Sequence, residues 1–404
     1  MVAFQVKKNQ TRPSWAECKG TRFMLPVFLF AGCVAFLAWI YLALGHGSFW
    51  SLLLPEDSLL PAQLPTVDII IPARDEAGAL PYTLPSLLMQ DYQGEWRVIV
   101  VDDHSIDGTA EVAHTVAALV KTDRLTVIQA PDLPRGWSGK VAAMHAAASQ
   151  SKADLLLFTD ADIRHAPGSL RHLVSRAEAR KIDLVSRMAK LNCVSFAEKL
   201  LIPPFIFFFA KLYPFRRANN PASRIAAAAG GAMLIRRSML DKIGGLTSIG
   251  SALIDDCGLA KMVKQAGGRT ELTLTRDIES LRPYPHIRDI WRMVARTAYT
   301  QLRHSPWLLA GTVIGLAILY LVPPLLFLLA PNRESLALGL MGWLVMTAIY
   351  MPIVRFYGLH RAWALTLPVA ALVYGAATID SARLYRQGRG GQWKGRAHDH
   401  LDII

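Results

Sequence analysis

"LLLFTDADIRHAPGSL" (155–170) runs an apolar segment of strand length into Asp160-Ala161-Asp162. Two carboxylates this close repel, and burying either is costly unless something positive sits between them. Alone, Asp-x-Asp is a weak signal that more readily describes a solvated surface turn, so the neighbouring segments decide. "TVDIII" (66–71, closed by Pro72), "EWRVIVVDD" (95–103) and "RLTVIQA" (124–130) are runs of the same kind as "DLLLFTD" (154–160), and helix-like stretches at about 76–90, 108–121, 139–150 and 167–180 alternate with them. Near-continuous Val/Ile/Leu strands separated by helices predict an α/β domain with a mostly parallel sheet covered on both faces. In such sheets ligands collect at the carboxyl ends of the strands. Those ends carry Ala73-Arg74-Asp75-Glu76, Asp102-Asp103 and Asp160-x-Asp162, so three acidic groups are expected on one rim. A rim of carboxylates suits Mg²⁺ or Mn²⁺, which take oxygen ligands and keep waters and substrate phosphates in their shell. Asp162 is the main candidate ligand, with Asp160 on the bound ligand or on a metal water.

Absent patterns narrow the chemistry. No Gly-x-Gly-x-x-Gly follows the first strand, which argues against a dinucleotide dehydrogenase. In "RGWSGKVAAMHAA" (135–147), Val141 follows Gly139-Lys140 where a phosphate loop needs Ser or Thr. The segment reads either as a helix N-terminus with Lys140 aimed at phosphate, or as an ordinary helix start with a solvated lysine. Cys18, Cys33, Cys193 and Cys257 are scattered, which excludes a disulfide framework and a structural zinc site. His104, His145, His165 and His286 lack ligand spacing and read as surface or hydrogen-bonded residues.

The chain has 404 residues, room for more than one structural unit, with a net charge of +13. Its mean hydropathy is positive. The basic residues cluster beside apolar segments, which points to membrane or phosphorylated ligands and away from nucleic acid. A basic tail (1–22, with Lys7, Lys8, Arg12, Lys19 and Arg22) precedes an uncharged apolar stretch at 23–44. That stretch exceeds a signal-peptide core and reads as a retained anchor. Three further apolar stretches, 308–330, 335–354 and 362–379, read as membrane helices, with Pro323-Pro324 expected to kink or break the first. A second basic tail (380–404) follows. Three simple crossings would put that tail opposite a cytoplasmic middle domain, against the positive-inside rule; a re-entrant segment near Pro323-Pro324 would reconcile the two. "LLIPPFIFFFAKLYPF" (200–215) is too short and Pro-broken to span, and either lines a route for a lipid or belongs to the core. In 286–304, Ile287, Ile290, Trp291, Val294, Ala298 and Leu302 share a helical face and Arg288, Arg292 and Arg296 share another, which predicts an amphipathic helix at the membrane surface.

"VDIIIPARDEAGAL", "VIVVDDHSIDGT", "LFTDADIRHAPGSL", "GGAMLIRRSMLDKIGGL" and "ALIDDCGLAKMVKQAG" together resemble family 2 glycosyltransferases over about 66–275. "LPRGWSGKVAAMHAA", the flanking apolar helices and "GGQWKGRAHD" narrow the resemblance to the hopene-associated glycosyltransferases of hopanoid biosynthesis. The resemblance implies a GT-A fold over 66–280 and a nucleotide-sugar donor, most simply UDP-linked. It implies Pro72, Ala73, Arg74 and Glu76 beside the nucleobase, with Asp102 and Asp103 as the acidic pair after strand two. It makes Asp160 and Asp162 the metal-and-diphosphate motif and Asp256 the catalytic base, with Asp255 where Glu is more usual. Two adjacent aspartates leave the base open between them, and a helix N-cap is the structural alternative. The Gln-x-x-Arg-Trp motif of processive members is missing, so one sugar is transferred per acceptor. The expected protein is a multi-pass enzyme of the inner (cytoplasmic) membrane with its catalytic domain in the cytoplasm and a lipid acceptor. The acceptor is a hopanoid or, alternatively, a polyprenyl phosphate, carotenoid or diacylglycerol. A catalytically silent scaffold is the non-enzymatic alternative.

Overall fold

The computed structural model describes residues 19–55, 59–330 and 332–389. A long helix α1 (Lys19–Leu44) leads into β1 (Val67–Ala73), α2 (Leu80–Leu88), β2 (Trp96–Asp102), α3 (Thr109–Val120), β3 (Leu125–Gln129), α4 (Gly139–Gln150), β4 (Leu155–Phe158) and β5 (Ile163–His165). Then come α5 (Ser169–Arg180), β6 (Leu184–Lys190), α6 (Phe196–Leu212), α7 (Phe215–Ala218), β7 (Ala232–Arg236), α8 (Arg237–Lys242), α9 (Asp255–Gln265) and β8 (Thr270–Ser280). The chain closes with α10 (Ile287–Gln301), α11 (Pro306–Leu316), α12 (Val322–Leu329), α13 (Arg333–Phe356) and α14 (Leu367–Arg386).

The eight strands form one sheet in the order β3-β2-β1-β4-β7-β6-β8-β5. β1 lies parallel between β2 and β4, β2 is parallel to β3, and β6 is parallel to β8. β7 runs antiparallel to β4 and β6, and β5 runs antiparallel to β8. The parallel half explains the unbroken apolar strands: successive side chains point to opposite faces, and both faces are covered. Ile69, Ile71, Val98, Val100, Leu155 and Leu157 pack with α2, α3 and α5, while Ile70, Ile99, Val101, Leu156 and Phe158 pack with α4, α8 and α9. Register sets Ala73 beside Asp102 and Ile70 beside Phe158, so β1, β2 and β4 end on the same edge.

A third core joins the domain to the apolar helices. Leu201, Ile202, Ile206 and Phe207 of α6 are buried in it with Trp39, Tyr320, Tyr350 and Tyr374, so 200–215 is largely core. Four helices are long and apolar enough to cross a membrane: Pro26–Leu44, Pro306–Leu329, Arg333–Phe356 and Arg361–Arg386. Pro323-Pro324 does not break the second; a π-helical turn, Ala317–Leu321, precedes them, closed by Val322 N donating to the Ala317 carbonyl. α10 packs on α14 and α6 through Ile290, Val294, Ala295 and Tyr299, and Trp291 Nε1 donates to Asp380 Oδ2 at 2.9 Å. Ile287, expected on that apolar face, is 43% exposed because it lies in the first turn beyond the packed centre line, and Tyr299 is buried there instead. Arg288, Arg292 and Arg296 are exposed, as their spacing predicts. The basic residues Lys7, Lys8, Arg12, Lys394 and Arg396 lie outside the described residues, so both basic tails fall mostly there.

Candidate active site at the carboxyl edge of the sheet

The loops after β1 and β2 are tied to each other. Asp75 and His104 adopt φ of +50° and +53°, a backbone region in which Asp and His are tolerated better than most non-glycine residues. Asp75 N donates to Ser105 Oγ (3.0 Å), Ile106 N to Asp75 Oδ1 (3.0 Å), Glu76 N to Thr109 Oγ1 (2.9 Å) and Ala77 N to Asp107 Oδ2 (2.9 Å). Arg74 Nη1 donates to the Asp103 carbonyl at 2.6 Å and lies 3.5 Å from its carboxylate. Asp102 is buried and accepts from Ser105 N at 3.1 Å, so one of its oxygens closes its own turn. Pro72 and Ala73 are buried within β1, and the Ala73 carbonyl accepts from Asp103 N at 2.8 Å.

The segment after β4 meets two other elements. Lys140, in the first turn of α4, places Nζ 2.8 Å from Asp160 Oδ1 and 3.2 Å from Asp255 Oδ2. Asp256, beside Asp255 in the first turn of α9, accepts from Gly230 N (3.1 Å) and Cys257 N (2.7 Å). Carboxylates suit this position at the positive end of a helix dipole. A Cβ at Gly230 would stand 3.2 Å from Lys140 Nζ, 3.5 Å from Asp160 Oδ2 and 3.9 Å from Asp256 Oδ2, which fixes all three groups around one point. Burial opposes the Lys140 charge, but Asp160 and then Asp255 outweigh it and hold the ammonium well above its ordinary value. Burial, followed by repulsion from Asp255, pushes the Asp256 carboxyl up to about 6, against the pull of Lys140. A carboxyl titrating there exchanges a proton near neutral pH, as a general base must.

Asp162 is held on the other side of the same turn. Arg282, just beyond β8, donates from Nε to Asp162 Oδ2 at 2.8 Å and from Nη2 to Glu76 Oε1 at 3.1 Å. The Arg282 loop is anchored by Glu198, buried in the first turn of α6, which accepts from the backbone N–H groups of Tyr284, Ser195 and Val194 and from Asn192 Nδ2. Burial would raise the Glu198 pKa, but those donors outweigh it and lower it. The structure thus gathers Arg74, Glu76, Asp103, Lys140, Asp160, Asp162, Asp255 and Asp256 at the ends of β1, β2 and β4 and the start of α9. Arg282 and Gly230 were not among the expected site residues. "ESLRP" around Arg282 carries no pattern that marks it, whereas the paired glycines of "GGAMLIRR" are a visible sign of a close approach.

Among the described residues, no group of three or more His, Cys, Asp or Glu side chains is arranged to hold a metal ion. The histidines have other work: His165 is buried between Thr159 and Ser169 and pushed down to about 3 by burial, and His145 packs on Trp137.

Residues 68–244 match the family Glycosyl transferase family 2. The match takes in β1 to β7 with Asp102, Lys140, Asp160 and Asp162, and ends before Asp255, Asp256 and Arg282. Among curated proteins, the chain is 38% identical over 98 residues to 4,4'-diaponeurosporenoate glycosyltransferase of Staphylococcus haemolyticus, covering 24% of each chain. It is 30% identical over 120 residues to undecaprenyl-phosphate 4-deoxy-4-formamido-L-arabinose transferase of Pseudomonas fluorescens, covering 29% of this chain and 34% of that one. The chain therefore spans a quarter to a third of the length of these relatives. Among solved structures, mannosyltransferase PcManGT from Pyrobaculum calidifontis, in complex with GDP-Man and Mn²⁺, matches with a TM-score of 0.53 at 20% identity, over 86% of this chain and 99% of that one. The fold is GT-A-like, an α/β sheet domain joined to apolar helices.

Proposed function

We propose that the protein is a membrane-bound, inverting glycosyltransferase that moves one sugar from a nucleotide-sugar donor, UDP-linked in the simplest reading, to the hydroxyl of a lipid acceptor. The observation that carries this reading is the Lys140 ammonium set between Asp160 and Asp255, with the Asp256 carboxyl beside it. Arg74, Glu76, Asp102 and Asp103 border the nucleoside end, with Pro72 and Ala73 beneath as the strand that positions them. Asp160 and Asp162 are the candidate ligands of a Mg²⁺ or Mn²⁺ ion. Each is already paired with a protein cation, but such ions need only one or two carboxylates when substrate phosphates and waters complete the shell, so the residues fit. When bound, the ion would neutralise charge on the diphosphate leaving group.

The chain's own part follows from the geometry. Lys140, in the first turn of α4, meets the negative charge that develops on the diphosphate. Asp256 accepts the acceptor's hydroxyl proton as the oxygen attacks the anomeric carbon from the face opposite the leaving group. One glycosidic bond forms, the bond to phosphate breaks, and the nucleoside diphosphate leaves with the electron pair, which inverts the anomeric centre. Asp255 keeps Lys140 charged and raises Asp256, so the two aspartates take different roles.

The lipid acceptor is supported by four apolar helices and by relatives named for a carotenoid acid and a polyprenyl phosphate. A hopanoid is the acceptor that the sequence resemblance favours; a carotenoid or polyprenyl phosphate, favoured by those relatives, or a diacylglycerol is the second reading. Placement in the cytoplasmic membrane, with the domain of 66–280 on the cytoplasmic side and α10 at the bilayer surface, follows from where nucleotide sugars are made. Mass spectrometry of lipids from a strain lacking the gene tests the proposal. Loss of one glycosylated lipid, restored by the wild-type gene, is expected; a lipid profile unchanged under all growth conditions contradicts it, and the class of the missing lipid decides between the acceptors.

A further inference from the structure

Resting on that reading, the geometry points to the turn that opens α6 as the edge where the acceptor's hydrocarbon leaves the bilayer. Val194 and Phe196 flank Ser195, the N-cap of α6, and are 72% and 68% exposed. Local structure gives neither a reason to be apolar. A residue before an N-cap can staple itself to the fourth helical residue, but that residue is Lys199 and Val194 stays in the open. Nor is the turn loose. Glu198 accepts from Val194 N and Ser195 N, both at 2.8 Å, and from Tyr284 N at 2.7 Å, while Ser195 Oγ accepts from Glu198 N at 3.1 Å. A rigid frame thus holds two apolar side chains outward.

What they meet names the occupant. The Phe196 ring lies 5.6 Å from that of Trp363. Trp363 belongs to the short 3-10 turn Arg361–Thr366, which opens the membrane-length helix Arg361–Arg386, and Leu365 of that turn is 49% exposed. The connection from the preceding membrane-length helix, Arg333–Phe356, carries exposed Arg355, His360 and Arg361. Two such helices joined through basic residues and a tryptophan put the connection at the level of lipid headgroups. Phe196 therefore stands at that level, with Val194 beside it, and the pair extends the apolar surface of the helices onto the catalytic domain. The Glu198 carboxylate that fixes them also fixes Tyr284, two residues from Arg282, which closes on Asp162 and Glu76. One side chain ties the bilayer edge to the donor rim. A lipid whose chain lies on Val194 and Phe196 presents its headgroup hydroxyl toward that rim.

The test uses the full chain in nanodiscs of palmitoyl-oleoyl phosphatidylcholine and phosphatidylglycerol, as Phe196→p-benzoylphenylalanine and, for comparison, Leu119→p-benzoylphenylalanine. Leu119 is 77% exposed on α3, at the β3 end of the sheet, away from β6 and β8, which meet the apolar helices. Irradiation is expected to yield phospholipid adducts, read by intact-protein mass, in the Phe196 variant and none above background in the Leu119 variant. Equal yields in the two overturn the assignment. In the strain lacking the gene, the double variant Val194→Ser, Phe196→Ser should restore about tenfold less of the missing glycolipid than wild type expressed at the same low level, the scale of one apolar side chain's burial, with donor binding unchanged. Neither side chain is part of the core, so the variant folds. Full restoration by the double variant overturns the acceptor's use of this edge while leaving sugar transfer intact. A strain whose lipids do not change overturns the enzymatic reading and the acceptor with it, and the Phe196 adduct then shows bilayer contact alone.

Discussion

Asp256→Asn is expected to lower sugar transfer by about 10³-fold, within the range for loss of a general base, with donor binding retained. The amide keeps one acceptor oxygen for one of the two backbone donors, Gly230 N or Cys257 N, and takes no proton. Turnover and nucleotide binding measured on the same preparation separate the two effects, and a variant that transfers sugar at the parent rate would remove Asp256 from the mechanism. The pH profile gives a second reading. The Asp256 carboxyl is pushed up to about 6, so it is protonated and idle below that pH and competent above it. The wild-type rate should therefore climb as pH rises through about 6 and level off near neutrality. A rate already flat from pH 4.5 upward would mean that the base is an ordinary exposed carboxylate.

Lys140→Met has the next largest expected effect, a fall of about 10²-fold in transfer rate, the scale seen when a preorganised charge is removed from a developing anion. It also carries a signed consequence. The Lys140 charge pulls the Asp256 pKa down against burial and Asp255. Without it the carboxyl titrates higher, and the rising limb of the pH profile should move to more alkaline pH. Lys140→Arg should not restore activity, because a planar fork does not fill the place of a compact ammonium between two carboxylates. A fall in rate with no movement of the limb would assign Lys140 to the phosphate alone and separate it from the base.

The half of the fold that carries the site was open to reading because its strands are buried on both faces. Runs such as "VDIII" and "RVIVV" admit little else, and in a parallel sheet the acidic residues that follow them must share an edge. The antiparallel half was less legible. β7 enters between β4 and β6 from a segment whose alanines and glycines carry no strand periodicity, and β5 is only three residues long. At the site, the aspartates announced themselves by position, but their partners did not. Arg282 reaches Asp162 and Glu76 across 120 and 206 residues of chain. Such pairs are set by tertiary packing, here by Glu198 fixing the backbone of Tyr284, and no local pattern encodes them. The Ile287 correction has the same origin: helical periodicity fixes which residues share a face but not where along the helix the packing partner begins.

The central claim is that the rim bearing Asp160, Asp162 and Lys140 holds the diphosphate of a sugar donor. A structure of the full-length protein with UDP and Mn²⁺, with the ion located by its anomalous signal, tests this most directly. The expected result is a manganese peak at the Asp160 and Asp162 carboxylates, the diphosphate within hydrogen-bonding distance of Lys140 Nζ, and Arg282 drawn off Asp162. A nucleotide bound elsewhere on the domain, with Arg282 still closed on Asp162 and no manganese at that turn, would contradict it.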